Sequence, residues 1–477
     1  MTLMGAANFK ENAHKAMHDS DLQSELRKLA GGFSQARVRA AADVPEFDAL
    51  RDAARDIKNH TLEHIDYYLE RFERKVIENG GKVHWCRTAE EARETILGLC
   101  RDLGAKTVTK GKSMIAEEIM LNDHLEKNGI EPVETDLGEY IIQLRHETPS
   151  HIIAPAIHVT TEGVAKAFRE HHKDLDADRP LTEPRAMLAE ARTILRRRFL
   201  EADVGITGAN FLIAETGSSV IVTNEGNGDL TQTLPKAHIV LASLEKVVPT
   251  LEDLSTMLRV LARSATGQEM SVYTTVSTGP RRAEDLDGPG EYHVVLLDNG
   301  RSAMIGGEFQ DMLRCIRCGA CMNNCPVYHQ IGGHAYGWVY PGPMGVVLTP
   351  ALIGIDEAKL LPNASTLCGK CEEVCPVRIP LPKMMRHWRE REFERHLEPN
   401  TARYGLKAWT WLATRPRLYR MATAVAVGFL GGLGRRAGRF RTLPFAGGWT
   451  SVRDMPAPEG GTFQQQWAAR QRKARAR

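Results

Sequence analysis

Seven of the chain's nine cysteines lie in two short runs, Cys315-Ile-Arg-Cys318-Gly-Ala-Cys321-Met-Asn-Asn-Cys325-Pro326 and Cys368-Gly-Lys-Cys371-Glu-Glu-Val-Cys375-Pro376. Thiolates at such gaps require loops that curl around a shared metal group, which restricts the fold more than any other feature. The first run has the spacing C-x2-C-x2-C-x3-C-P of proteins with two [4Fe–4S] cubes, where three thiolates hold one cube and the fourth crosses to the other. Proline, with φ fixed and no N–H, ends each loop. A tetrahedral zinc ion needs only four ligands, fewer than these runs supply. Disulfides fit poorly, because Cys86 and Cys100 are scattered and nothing marks the chain for secretion. Position 378 is Arg378, which excludes a radical-type C-x3-C-x2-C loop, and no C-x-x-C-H haem motif occurs.

The second run is one ligand short. Counting back from Cys375 places the missing first cysteine at Ser365. Crossed assignment gives cube one Cys315, Cys318, Cys321 and Cys375, and gives cube two Cys325, Cys368 and Cys371. The fourth position of cube two is open to Ser365, water, a partner's group, or a three-iron cluster, and an oxygen ligand there would shift its potential.

A chain of 477 residues exceeds one hydrophobic core, so two to four domains are expected. Met1 to Glu11 contain no apolar core, no cleavage pattern and no twin arginine, which points to the reducing cytoplasm. The net charge of +2 hides an asymmetry: residues 401–477 carry fifteen Lys and Arg against Asp454 and Glu459, or +13, leaving −11 for the rest. Such a tail is usually a solvated face; its sharper readings are an acidic partner or peripheral contact with the inner face of the cytoplasmic membrane. Met421–Gly434, apolar and bracketed by arginines, is too short to span a bilayer and reads as an interfacial or a buried helix. No nucleic-acid recognition fold accompanies the charge.

Apolar stripes at helical spacing run from Phe47 to Val76, stopped by Asn79-Gly80-Gly81. Strand-like segments at Lys82–Cys86, Thr107–Thr109, Ile130–Val133 and His151–Ala154 then alternate with helical ones: one opened by the capping box Thr88-x-x-Glu91, one capped by Ser113 and running to Asn128-Gly129, then 161–171 and 181–200. Phe211–Ala214 and Ser219–Thr223 read as a hairpin across Glu215–Ser218, with later strands at His238–Ala242 and Tyr292–Leu297. The fold class is α/β, with N-terminal helices and a mixed or parallel sheet.

GITGANFLIAETGSSVIVTNEGNGD (205–229), CIRCGACMNNCPVYHQIGGHAYGWVYPGPMGVVLTP (315–350) and TLCGKCEEVCPVRIPLPKM (366–384) resemble the lactate utilisation protein B family, the iron–sulfur subunit of a three-protein L-lactate oxidising system. The resemblance covers nearly the whole chain. It implies a helical region at 1–60, a lactate-utilisation α/β domain at 61–300 similar to sugar-phosphate isomerases and CoA-transferases, a mainly helical ferredoxin domain at 301–395 carrying two [4Fe–4S] clusters, and a basic segment at 396–477. It also implies partners of the lactate utilisation A and C kind. The missing first cysteine belongs to the family pattern.

Asn210, Glu215, Thr216, Ser218, Asn224 and Glu225 are candidate polar lining for an anion site, against the plainer reading that they shape tight turns. By fold analogy alone, Glu215 or Glu225 is a candidate nucleophilic carboxylate. Gly432-x-Gly434-x-x-Ala437 has no βαβ setting or downstream acid, so neither NAD nor flavin is expected. Tyr328, His329, His334, Tyr336, Trp338 and Tyr340 read as packing around the clusters, and His171-His172 as solvated. Three functions follow: an electron-transfer subunit passing electrons from lactate toward the respiratory chain, an α/β enzyme acting on lactate or an acyl-CoA, and a redox-sensing scaffold.

Overall fold

The computed structural model describes residues 5–475 except 112, 445, 451–452 and 460, and the side chains of 29, 30, 447 and 448 also lie outside the described set. The chain divides into two units, Met1–Glu392 and Phe393–Arg477. In the first unit the strands are β1 (Lys82–Cys86), β2 (Thr107–Gly111), β3 (Glu131–Glu134), β4 (Val204–Thr207), β5 (Phe211–Ile213), β6 (Ser218–Thr223), β7 (Ala237–Ser243), β8 (Val247–Val248), β9 (Tyr273–Ser277) and β10 (Glu291–Leu297). Six of them form one sheet in the order β1-β10-β7-β4-β2-β3, every pair parallel. Its central strand β7 is buried at every position, as expected for a sheet covered on both faces. On one face Ile96, Leu97 and Cys100 of the Ala89–Asp102 helix pack with Val108, Ile206 and Ile239. On the other, Leu69, Phe72 and Val76 of the Ile65–Glu78 helix meet Val240, Val294 and Leu296.

The expected hairpin forms, β5 and β6 pairing antiparallel within a smaller sheet of order β8-β5-β6-β9. Its turn needs Gly217: φ is +71°, and a Cβ there would lie 2.5 Å from the backbone of Lys75 and Val76. Thr88 Oγ1 accepts the Glu91 N–H at 3.2 Å, but Glu91 returns to the Arg87 N–H at 2.6 Å rather than to Thr88.

Other expectations change. The 47–76 helix is two helices, Phe47–Glu63 and Ile65–Glu78, broken at His64 (ψ 34°). The Ser113-capped helix is interrupted at Met120, which is left-handed (φ 51°). His151–Ala154 is not a strand: His151 Nδ1 accepts the N–H groups of Ile153 and Ala154 at 3.1 and 3.2 Å, bending the chain that the β-branched pair would otherwise extend. His171 is exposed, but His172 is buried, accepting Tyr140 OH at 2.8 Å and donating to Glu190 at 2.6 Å. The helices Phe9–His18 and Ser20–Ala42 return against the cysteine region: Gln23 Nε2 donates to Gln330 O at 2.8 Å and Ser34 Oγ to Asn323 O at 2.5 Å.

In the second unit the Asn400–Ala413 helix packs against the Pro416–Gly434 helix. Among the described residues no helix is long and apolar enough to cross a membrane.

Candidate iron–sulfur centre and the adjoining cavity

The two cysteine runs fold as copies of one device. Arg317 (φ 59°) and Gly319 (φ 71°) flank Cys318 in the left-handed region, and a one-turn helix Ala320–Asn323 follows. Leu367 (φ 54°) and Gly369 (φ 83°) flank Cys368, and Lys370–Glu373 follows. Left-handed geometry is costly for the non-glycine residues Arg317 and Leu367, so the surrounding fold must hold the turn. Backbone N–H groups reach the sulfurs: Ile379 donates to Cys375 Sγ at 3.4 Å. The amides of Ala320, Tyr328, Lys370 and Glu372 serve Cys318, Cys325, Cys368 and Cys371.

Electrostatic neighbourhood separates the thiols into two groups. Cys321 feels Cys315, Cys318 and Cys375; Cys318 feels Cys375 and Cys315; Cys375 feels Cys315. Cys325 feels Cys368, and Cys371 feels both. Cys321 and Cys371 link the groups. Among the described residues no three His, Cys, Asp or Glu side chains are placed as ligands of a single ion. Burial and then the neighbouring thiolates raise Cys318 and Cys321, and the same causes push Cys371 up to about 12. Ionising this many crowded thiols together needs a strongly positive metal group among them, and the donor set therefore fits iron–sulfur cubes.

The groups are unequal. Arg37, Arg51 and Arg314 lie near Cys375, and Lys58, Lys246 and Arg317 near Cys315. Arg51 donates to Cys375 O at 2.9 and 3.1 Å and also to Glu373 O; Arg37 donates to Val374 O at 3.0 Å. In the second group Cys368 is exposed, its thiol lowered first by the Lys370 N–H and then by the Thr366 hydroxyl. Ser365 occupies the place equivalent to Cys315. Its Oγ accepts the Leu367 N–H at 3.1 Å and its carbonyl accepts Arg389 at 3.1 Å.

A buried ionic network joins the first group to the sheet. Arg301, buried, donates to Glu118 at 2.6 and 3.0 Å and pairs with Glu245 at 3.2 Å. Tyr340 OH and Asn299 donate to Glu118 at 2.6 and 2.7 Å, and Arg317 approaches Glu245 at 3.6 Å while lying over the Tyr340 ring. Sequence patterning offered no sign of this network, whose members are spread from Glu118 to Tyr340. His151 is a further member it missed: fully buried, pushed down to about 4 by desolvation, it donates from Nε2 to Asn323 Oδ1 at 2.9 Å beside the first run. Tyr328, Tyr336 and Tyr340 are buried, as the packing reading expects, and Tyr336 has Cys325 and Cys321 among its electrostatic neighbours.

A cavity of about 220 Å³ opens beyond the carboxyl ends of β4 and β7 and is closed on one side by Arg317, Cys318 and Tyr340. Of the expected polar lining, Asn210, Asn224 and Glu225 are there. The other three are elsewhere: Glu215 Oε2 accepts the Leu251 N–H at 3.1 Å, at the start of the Leu251–Ala265 helix, while Thr216 and Ser218 bond each other at 2.7 Å. The two candidate carboxylates, Glu215 and Glu225, thus do not share a site.

This combination defines an iron–sulfur protein whose paired cysteine runs pack against a parallel α/β domain. Family models match the LUD domain at residues 69–297, a 4Fe-4S dicluster domain at 311–379, and the C-terminal region of lactate utilisation protein B at 382–472. Lactate utilization protein B of Oceanobacillus iheyensis is 42% identical over 98% of this chain and 97% of its own; that of Bacillus subtilis is 40% identical over 99% and 98%. The chain belongs to the lactate utilisation protein B family and carries [4Fe–4S] clusters. A DUF162 family protein of known structure from Deinococcus radiodurans aligns with 49% of this chain and 98% of its own at 16% identity, with a TM-score of 0.26.

Proposed function

We propose that this lactate-utilisation iron–sulfur protein is the electron-transfer subunit of an L-lactate oxidising system, relaying electrons toward the respiratory chain. Cys315, Cys318, Cys321 and Cys375 would hold one cube, and Cys325, Cys368 and Cys371 the other. The observation that carries this reading is the division of the seven thiols into those two groups, linked through Cys321 and Cys371. When bound, the cubes supply one-electron storage. The chain orients the thiolates, donates N–H groups to the sulfurs, excludes water with buried tyrosines and surrounds the first group with cations. Removal of the lactate hydride falls to partner subunits of the A and C kind, and the domain boundaries follow the four segments given above.

The C-terminal unit docks the assembly on an anionic membrane surface. Leu418, Met421, Val425, Phe429 and Leu433 are exposed at three- and four-residue spacing along one helix, in a segment of net charge +13. Anaerobically purified protein should be brown, hold two clusters, and be reduced by lactate only after the partner proteins are added. Lactate turnover by the chain alone would refute the relay reading, and a colourless zinc-bound protein would refute the cubes.

A further inference from the structure

Tyr336 carries a hydroxyl that packing leaves unexplained. Its side chain is fully buried, and the hydroxyl has no hydrogen-bond partner among the described residues. Each of the other buried tyrosines has one. Tyr68 bonds His60 at 2.9 Å and Tyr140 bonds His172 at 2.8 Å. Tyr292 donates to Ser219 at 2.8 Å, Tyr328 to Ser150 O at 2.7 Å and Tyr340 to Glu118 at 2.6 Å. A phenol enclosed without an acceptor loses its hydration for nothing, and phenylalanine would fill the same space at less cost.

The ring is not free to turn toward a protein acceptor. It belongs to the single turn His334–Tyr336, closed by Gly337 at φ 71°. On the near side of that turn the Gly333 N–H donates to Ser150 Oγ at 3.3 Å, and His334 Nε2 donates to Thr148 O at 2.7 Å. The rings of Phe9 and Tyr328 flank it at centroid distances of 5.6 and 6.5 Å. The electrostatic neighbours of the phenol are Cys325 first, then Tyr328, then Cys321. Tyr328 is already engaged with Ser150 O, so the direction left for the hydroxyl is toward the thiols. At neutral pH a phenol keeps its proton and can donate it.

We propose that the Tyr336 hydroxyl donates a hydrogen bond to a sulfur of the cube held by Cys325, and thereby raises the potential of that cube. Reduction adds negative charge to the sulfurs, so a donor aimed at them stabilises the reduced state more than the oxidised one. Cys325 is the stronger of the two thiol neighbours, which selects the second cube over the first. The inference rests on the assignment of Cys325 proposed above.

The test uses full-length protein with both cubes assembled. ENDOR of the reduced second cube in light and heavy water should show an exchangeable-proton coupling that Tyr336→Phe lacks. In EPR-monitored redox titration the same variant should raise the oxidised-to-reduced ratio of the second cube, at a fixed applied potential, by roughly three- to tenfold. Tenfold is about 59 mV for a one-electron couple. The first cube and the iron content should not change. Tyr328→Phe, which removes a hydroxyl already bonded to Ser150, should move neither reading. Fluorotyrosine at position 336, a stronger donor of nearly the same shape, should shift the second cube the opposite way, and decides the matter if Tyr336→Phe fails to assemble. Coupling and potential unchanged in Tyr336→Phe, as for a hydroxyl satisfied by an enclosed water, would overturn the inference and leave the cluster assignment intact. A shift of the first cube alone would overturn it as well. A wild type that forms no second cube would overturn the assignment of Cys325 and this inference with it.

Discussion

Replacing Arg37 by Met should lower the potential of the first cube. Arg37 is buried, its guanidinium hydrogen-bonds Val374 O at 3.0 Å, one residue from Cys375, and its electrostatic neighbours include Cys318 and Cys375. An electron added to the cube is attracted by that charge. At a separation of roughly 8 Å and an effective dielectric near ~20 the attraction is about 2 kcal/mol. For a one-electron couple this corresponds to roughly 90 mV. Arg51 and Arg314 remain nearby, and water entering the vacated space screens part of the change, so a fall of about 40–90 mV is expected. EPR-monitored redox titration of anaerobic protein measures it, with Arg37→Lys as the charge-retaining control. A first-cube potential unchanged to within about 15 mV, with iron content intact, would refute the view that these cations set the potential; so would an equal shift of both cubes.

Glu118→Gln removes the anion that receives two Arg301 N–H groups, Tyr340 OH and Asn299, and should cost roughly 3–5 kcal/mol, less whatever Glu245 recovers, measured by urea denaturation. Ser365→Cys should alter the EPR spectrum of the second cube and raise its iron retention; unchanged spectra would show that position 365 does not reach the cluster. Air exposure should remove the second cube first, because Cys368 is exposed, taking iron from about eight to about four per chain before the first cube is lost. Val425→Glu with Phe429→Glu should abolish co-sedimentation with phosphatidylglycerol vesicles at low salt while leaving both cubes in place. Equal binding by the double variant would put the contact elsewhere.

The sheet was legible because parallel, doubly covered strands read as unbroken apolar runs, as in His238–Ala242 and Tyr292–Leu297. The cysteine groups were legible because ligand spacing is local. What escaped has a common cause. Arg51, Arg301 and His151 look like ordinary polar residues in helical or loop sequence, and their roles exist only once distant segments meet. The Ile152-Ile153 pair suggested extension, yet the His151 ring takes the backbone N–H groups of Ile153 and Ala154 and bends the chain. His172 seemed solvated beside His171 because adjacency says nothing of depth; Tyr140 and Glu190 decide it. Glu215 and Glu225 stood out equally in a polar stretch, but one sits at a helix start and the other at a cavity.

The hydrogen bonds from Arg51 to the Cys375 carbonyl have a consequence for biosynthesis. The two residues are 324 positions apart. Arg51 leaves the ribosome long before the loop it clasps, so the amino-terminal helices, which can meet the Leu251–Ala265 helix and the Glu245 and Val247 carbonyls earlier, lack their complete seat until nearly the whole chain has been made. Closing so long a loop is slow and is completed only by contacts formed at the end. Iron loading and the completion of that seat should therefore occur as one late event. Protease cleavage within residues 5–60 would then report whether a newly made chain has received its metal.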